Sequence, residues 1–301
     1  MDPYTYLVRS LKRTCPALGK KKIAQVLARA GLHLGVSTVG RLLERDLSRT
    51  DVGAELPVVE ELRPVRAKAP NDVWHVDLTV VPTAAGFWVP SFPFAKLQRW
   101  PFAWWVAVAV DQASRLVVGF AVFKRRPTSA EVCSFLERAI KRVKTAPRTI
   151  ITDQGSEFGW AFRRWCRRGK ISRRLGKVGE HGSIAIVERF IRSMKSECTR
   201  RLIVPFRLAA MRAELGSYAT WFNEHRPHEV LRGRTPIEVY RGLQPRNEAP
   251  RFEPRTRWPK RARCAAPNVP VNGKAGAHLK ICLSRLERRA HLPIISLRRA
   301  G

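Results

Sequence analysis

Three carboxylates stand where their types and surroundings suit chemistry. Asp77 sits in Trp74-His75-Val76-Asp77-Leu78-Thr79, Asp153 in Ile151-Thr152-Asp153-Gln154-Gly155-Ser156-Glu157-Phe158, and Glu188 in Ile186-Val187-Glu188-Arg189-Phe190. Carboxylate oxygens are the ligands that a hard divalent cation such as Mg²⁺ prefers, and this ion keeps several waters, so a few protein ligands suffice. Glu188 follows Asp153 by 35 positions. With 24 acidic residues in the chain, such a spacing also arises by chance, so the flanking elements must carry the reading.

Val73–Val81 is a β-rich run between Asn71-Asp72 and Pro82, and alternation along it puts His75 and Asp77 on one face. Thr149–Thr152 predicts a second strand, with Asp153 at its carboxyl end and Gly155 allowing a tight turn after it. Loops at the carboxyl ends of strands are where α/β folds place ligands. Glu188 falls on a predicted helix capped by Ser183, with Ile184, Val187, Ile191 and Met194 as its buried stripe. Glu188 and Arg192 share another face, so a solvated helix charge paired with Arg192 is the alternative reading of this acid.

The order of the central elements is strand, strand (104–110), strand (116–123), helix (129–144), strand, helix (156–168), then the Glu188 helix. That is an α/β pattern over residues 71–245. The apolar stretch 103–123 is broken by Asp111, Gln112, Ser114 and Arg115, so it reads as two strands and a turn, not a membrane span. An aromatic insert from Phe87 to Trp105 reads as packing over the core.

Charge points to the partner. The chain has 57 Lys and Arg against 24 Asp and Glu, a net +33. An excess on that scale suits a polyanion, with binding that weakens steeply in salt. Its 45% hydrophobic content over 301 residues allows a proper core, unlike most ribosomal proteins of similar charge. Six cysteines contain no Cys-x-x-Cys pair, and the N-terminus lacks an apolar leader, so reduced thiols in a cytoplasmic protein are expected.

Residues 1–50 read as a helical DNA-binding module. Lys20–Ala30 and Ser37–Asp46 have helical periodicity and are joined by a turn with Gly31 and Gly35, in the manner of a helix-turn-helix. Thr38, Gly40 and Arg41 would then face the major groove, with Lys20, Lys21 and Lys22 on phosphates. A plain helical hairpin fits the same pattern. Met1 leaves little room ahead of this pair, so a further N-terminal helix is expected to be missing. Residues 51–70 read as a linker, and 246–301 as a basic β-rich segment, a hairpin or partial barrel for the DNA backbone.

The three acids with their flanks resemble the DDE triad of insertion-sequence transposases and retroviral-type integrases. The segment Trp221-Phe222-Asn223-Glu224-His225-Arg226-Pro227-His228, followed by Thr235-Pro236-Ile237-Glu238-Val239-Tyr240, resembles one found after the catalytic glutamate in such transposases. The Gly182-Ser183 turn and the basic residues four and seven past Glu188 match as well. No His-His-Cys-Cys zinc domain is present, because the N-terminal segment has only Cys15 and His33.

The resemblance implies a ribonuclease-H-like core, a mixed sheet flanked by helices. It also implies catalysis by Asp77, Asp153 and Glu188 holding two Mg²⁺ ions, with Mn²⁺ substituting, and Asp77 bridging the pair. Arg192 and Lys195 would touch DNA beside them, and His75, Gly155, Asn223, Arg226 and His228 would be supporting residues. His225 and His228 read as hydrogen-bonded supports and not as metal ligands. The implied activity is cleavage and joining of DNA at the ends of a mobile element, by a dimer or larger assembly on DNA at the bacterial nucleoid, with no membrane. A catalytically silent DNA-binding regulator is the alternative, and a simple ribonuclease H a third reading.

Overall fold

The computed structural model describes residues 3–30, 32, 34–44, 67–83, 103–176, 185–243 and 279–299. These divide into two units. The larger contains a five-stranded sheet of order β3-β2-β1-β4-β5. Its strands are β1 (Val73–Pro82), β2 (Ala103–Asp111), β3 (Val117–Phe123), β4 (Thr149–Thr152) and β5 (Ser172–Leu175). β1, β2 and β3 form an antiparallel meander, whereas β4 and β5 run parallel to β1 and to each other. This is the mixed, ribonuclease-H-like sheet that the resemblance implies.

β1 is central. Val73, Trp74, His75 and Val76 are all buried in succession, so both faces of the strand are covered at this point. Single-faced alternation does not describe it, because a strand with helices on both sides reads as a continuous apolar run. At the β2–β3 turn, Asp111 accepts hydrogen bonds from Ser114 N–H (2.8 Å), Ser114 Oγ (2.6 Å) and Asn71 N–H (2.7 Å). Its burial is thereby matched by partners.

Helix α4 (Ser129–Val143) begins with a reciprocal cap. Glu131 N–H donates to Thr128 Oγ1, and Thr128 N–H donates to Glu131 Oε2. Its buried face, Val132, Phe135, Leu136 and Ala139, packs on β3. A Cβ on Gly119 would lie 2.9 Å from the Ala139 methyl and 3.0 Å from the Phe135 ring, so only glycine permits this approach. The expected helix 156–168 is two pieces: a 3-10 turn at Ser156–Phe158, then α5 (Trp160–Arg168) after Gly159. β5 was not expected, since Ser172-Arg173-Arg174-Leu175 lacks an apolar pattern.

α6 (Ala185–Met194) packs against β1 and β2 and passes into a π-helical turn, Lys195–Thr199. α7 (Leu208–Glu224) closes over it through Phe190, which meets Phe222 edge-on at 4.8 Å and Tyr218 at 6.0 Å. Tyr218 also donates to buried Glu197 of the π turn at 3.0 Å. The expected insert up to residue 102 lies outside the described residues, as do Gly182, Ser183 and Ile184. Phe190 completes the buried stripe of α6 beside Val187, Ile191 and Met194.

The smaller unit contains α1 (Pro3–Thr14), α2 (Lys20–Arg29), α3 (Val36–Glu44), residues 225–238 and a C-terminal hairpin, β6 (Leu279–Arg285) with β7 (Pro293–Arg299). An N-terminal helix thus precedes the expected pair. Leu7, Val8, Leu11, Ile23, Leu27, Val39 and Leu42 form the core among these helices. α3 starts at Val36, so Ser37 lies within its first turn and does not cap it. Residues 225–238 were expected to belong to the 71–245 core. They group here because Glu238 forms a bidentate pair with Arg29 (2.7 and 2.8 Å) and Glu229 pairs with Lys21 (2.7 Å). α8 (Pro236–Tyr240) begins within this segment.

Candidate active site

Strand register determines where the first two acids stand. His75 of β1 is the last residue paired with β4, opposite Ile151. Two positions further on each strand come Asp77 and Asp153. Parallel neighbours lie roughly 4.8 Å apart, so the two carboxylates leave adjacent strands at the same level. Glu188 joins them from the first turn of α6, on the helix packed over β1 and β2.

Electrostatics ties the three together. Burial first, and then the negative charges of Asp153, Glu188 and Glu157, push the Asp77 carboxyl up to about 6, against the opposing effect of a hydrogen bond from Leu78 N–H. Carboxylates crowded in this way favour a proton or a cation between them. The donor set, hard oxygens only, fits a divalent ion such as Mg²⁺. Among the described residues, no three His, Cys, Asp or Glu side chains are already arranged to hold a metal ion. The fit therefore lies in donor chemistry and like-charge crowding, not in a finished cage.

The loop after Asp153 is held rigidly. Asp153 Oδ1 accepts from Gly155 N–H at 3.1 Å, an Asx turn. Gly155 has φ −55°, an ordinary value, so its smallness is not needed for backbone freedom. A Cβ there would lie 2.5 Å from Glu157 Oε1 and 3.1 Å from Asp153 Oδ1. The glycine makes room for two carboxylates, which corrects the expected role in a tight turn.

Glu157 is a fourth acid that sequence reasoning missed. It is buried, and its Oε2 accepts from Arg126 Nη2 (2.7 Å), Arg126 Nε (3.1 Å) and Ser156 Oγ (3.3 Å). Arg126 in turn lies 5.7 Å from the Trp105 ring centroid. The available signal was an acid four residues past Asp153 across a glycine, but a carboxylate paired from 31 positions away cannot be foreseen from its neighbours.

The remaining candidates separate. His75 is buried in β1. Lys195 is half-buried at the start of the π turn; burial and Arg200 lower its pKa, while the Asp77 charge raises it. Arg192 is exposed on α6. Asn223 ties the end of α7 to the edge of β3: its Oδ1 accepts from Val117 N–H at 3.0 Å, and its Nδ2 donates to Val117 O at 3.2 Å.

Arg226 and His228 belong to the smaller unit, with Arg226 Nη1 3.3 Å from His228 Nε2. Lys20, Lys21 and Arg41 are exposed there, Lys22 and Thr38 half-buried, and Gly40 is buried and so does not face outward. His33 lies outside the described residues. No described helix is long and apolar enough to cross a membrane.

Two family profiles, both described as Integrase core domain, match residues 67–181 and 170–236. The chain is 28% identical over 263 residues to a probable transposase for insertion sequence element IS1353 of Shigella flexneri, covering 79% of this chain and 46% of that protein. It therefore spans about half the length of that relative. It is 22% identical over 233 residues to the transposase for insertion sequence element IS904 of Lactococcus lactis, covering 72% of this chain and 85% of the other. The HTLV-2 integrase catalytic core domain, solved in complex with magnesium, aligns with a TM-score of 0.43 at 20% identity, over 58% of this chain and 99% of that one.

Proposed function

Because the chain belongs to the integrase-core family, we propose that it is a transposase that cuts and joins DNA strands at the ends of a mobile element. The observation that carries this reading is the crowding of Asp153 and Glu188 around the half-buried Asp77 carboxyl. Asp77, Asp153 and Glu188 would be the residues to hold two Mg²⁺ ions, and Mn²⁺ would be able to substitute. Bound there, the ions would activate water or a 3′-hydroxyl and steady the leaving oxygen of the phosphodiester.

The protein's own contribution is placement. Adjacent strands carry two of the acids, Asp77 within β1 and Asp153 just past the end of β4, and α6, braced by α7, carries the third. The Asx turn and the Arg126–Glu157 pair hold the Asp153 loop. Lys195 contributes a cation next to Asp77, able to meet a phosphate oxygen, and Arg192 offers an exposed guanidinium one helical turn past Glu188.

Thr38, Arg41 and the lysines at 20–22 would contact duplex DNA through a helix-turn-helix formed by α2 and α3. The β6–β7 hairpin would grip its backbone. Two element ends must be held together, so the working form is at least a dimer on DNA.

The test uses a supercoiled plasmid with the gene and its native flanks, incubated with purified protein and Mg²⁺ or Mn²⁺ beside Asp153→Asn. New strand ends at the flanks, metal-dependent and absent in the variant, are expected. Binding without cleavage in the wild type would replace this reading with the silent regulator.

A further inference from the structure

A second charged feature of the larger unit takes no part in the carboxylate centre. Between α5 and β5 lies a cleft of about 460 Å³ lined by Trp160, Arg163, Cys166, Arg167, Ile171 and Arg173, within the size range of ligand pockets. From Trp160 to Leu175 the chain carries seven Arg and Lys residues and no carboxylate. Among the described residues, none of Arg163, Arg167 and Arg173 pairs with an acid. The Nε of Arg173 is buried and meets no hydrogen-bond acceptor, an arrangement that destabilises unless a ligand brings one. Cys166 does not offset the charge, because burial pushes its thiol up to about 12.

Trp160 adds a second kind of chemistry. α5 buries Phe162, Trp165 and Cys166, yet Trp160 is 63% exposed, with the Arg164 guanidinium 5.5 Å from its ring centroid. An exposed indole beside three unmatched guanidiniums offers a flat apolar surface and anion sites within one short stretch. Arginine forks match phosphate oxygens, and bases stack on aromatic side chains whatever their identity.

We propose that this cleft holds a single strand of DNA, with phosphates on Arg163, Arg167 and Arg173 and an unpaired base against Trp160. Bases inside a duplex present only their edges, so the indole selects an unpaired strand. A second copy of the chain is disfavoured as occupant, since a two-fold contact would set one arginine face against another. This inference rests on DNA being the substrate, as proposed above, but not on the carboxylates.

The experiment measures binding of the full-length chain, without divalent metal, to a labelled short oligothymidine and to a blunt duplex. Trp160→Ala is expected to weaken oligothymidine binding about tenfold or more and to leave the duplex within about twofold. Replacing Arg163, Arg167 and Arg173 together by Gln should flatten the dependence of log affinity on log salt by about 2 for the single strand. All four side chains are exposed or half-exposed, so folding is not at stake.

Unchanged oligothymidine affinity in both variants would overturn the proposal, as would equal losses on both DNAs. A changed oligomeric state with DNA binding intact would overturn it too, and would mark the cleft as a contact between copies. Plasmid cleavage, measured separately, keeps the two readings apart. Cleavage with unaltered strand binding in the variants sinks only the cleft, and altered strand binding without cleavage sinks only the transposase.

Discussion

The acidic centre and the arginine cleft are opposite solutions within the same sheet. In the middle of β1 and just past the end of β4, like charges meet where Asp77 is half-buried, and desolvation, with their repulsion added, holds the Asp77 carboxyl near 6. On α5 and β5, like charges of the other sign meet largely at the surface, where water and salt screen them. Burial makes the acidic cluster intolerant of its own charge, suiting a compact multivalent cation. Exposure lets the basic cluster persist open, suiting an extended polyanion.

The largest effect that would test the acidic side is on catalysis. Asp153→Asn should reduce metal-dependent strand cleavage by about 10³-fold or more while DNA affinity stays within about twofold. Cleavage near wild-type rates would remove Asp153 from the site.

Next comes the support beneath it. Arg126→Ala leaves Glu157 buried without its guanidinium, which should destabilise the larger unit by about 1–3 kcal/mol, reduced from the fully buried case because Arg126 is half exposed. Adding Glu157→Gln should recover most of that loss in denaturant melts. No recovery would mean that Arg126 acts through Trp105 instead.

A smaller effect follows from the Asp77 shift. Its folded-state pKa, about 6, exceeds its ordinary value of 3.8, so the folded chain holds the proton more tightly. Without metal, this group's contribution to stability falls as pH rises from about 4 to 6 and stays low above. Asp77→Asn should remove that slope and raise the metal-free melting temperature at pH 7 by about 2–4 °C, on the order of 1 kcal/mol. Mg²⁺ or Mn²⁺ should stabilise the wild type more at pH 7 than at pH 5, and the variant at neither. Equal stabilisation of both proteins would break the contrast between the two clusters. The smallest effect is on the basic side: Trp160→Ala should leave thermal stability within about 0.5 kcal/mol, and a larger loss would mean that the indole is structural.

The sequence was most legible where side-chain identity and local pattern agree. β1 to β4 and α4 fall within a residue or so of their expected bounds, since each is a strongly apolar run or a capped amphipathic helix. The three acids were chosen by their flanks, and the fold brings their charges within mutual reach, while their roles as metal ligands remain the proposal. β5 was invisible because Ser172-Arg173-Arg174-Leu175 becomes a strand only through hydrogen bonds offered by β4. Glu157 was invisible as a paired acid because Arg126 arrives from another element. Residues 225–238 follow α7 in sequence, but the Arg29–Glu238 and Lys21–Glu229 pairs, more than 200 positions apart, draw them to the other unit.

β5 also ends the sheet, and among the described residues no further strand pairs with its outer side. Such a rim is a template on which another chain can polymerise, and cationic side chains along it are a common safeguard. Arg173 and Arg174 put two positive charges along that rim, a pattern that disfavours strand-to-strand pairing between copies. Neutralising both would trade a change in affinity for insolubility, so Arg174 is the arginine to leave in place when the cleft is altered.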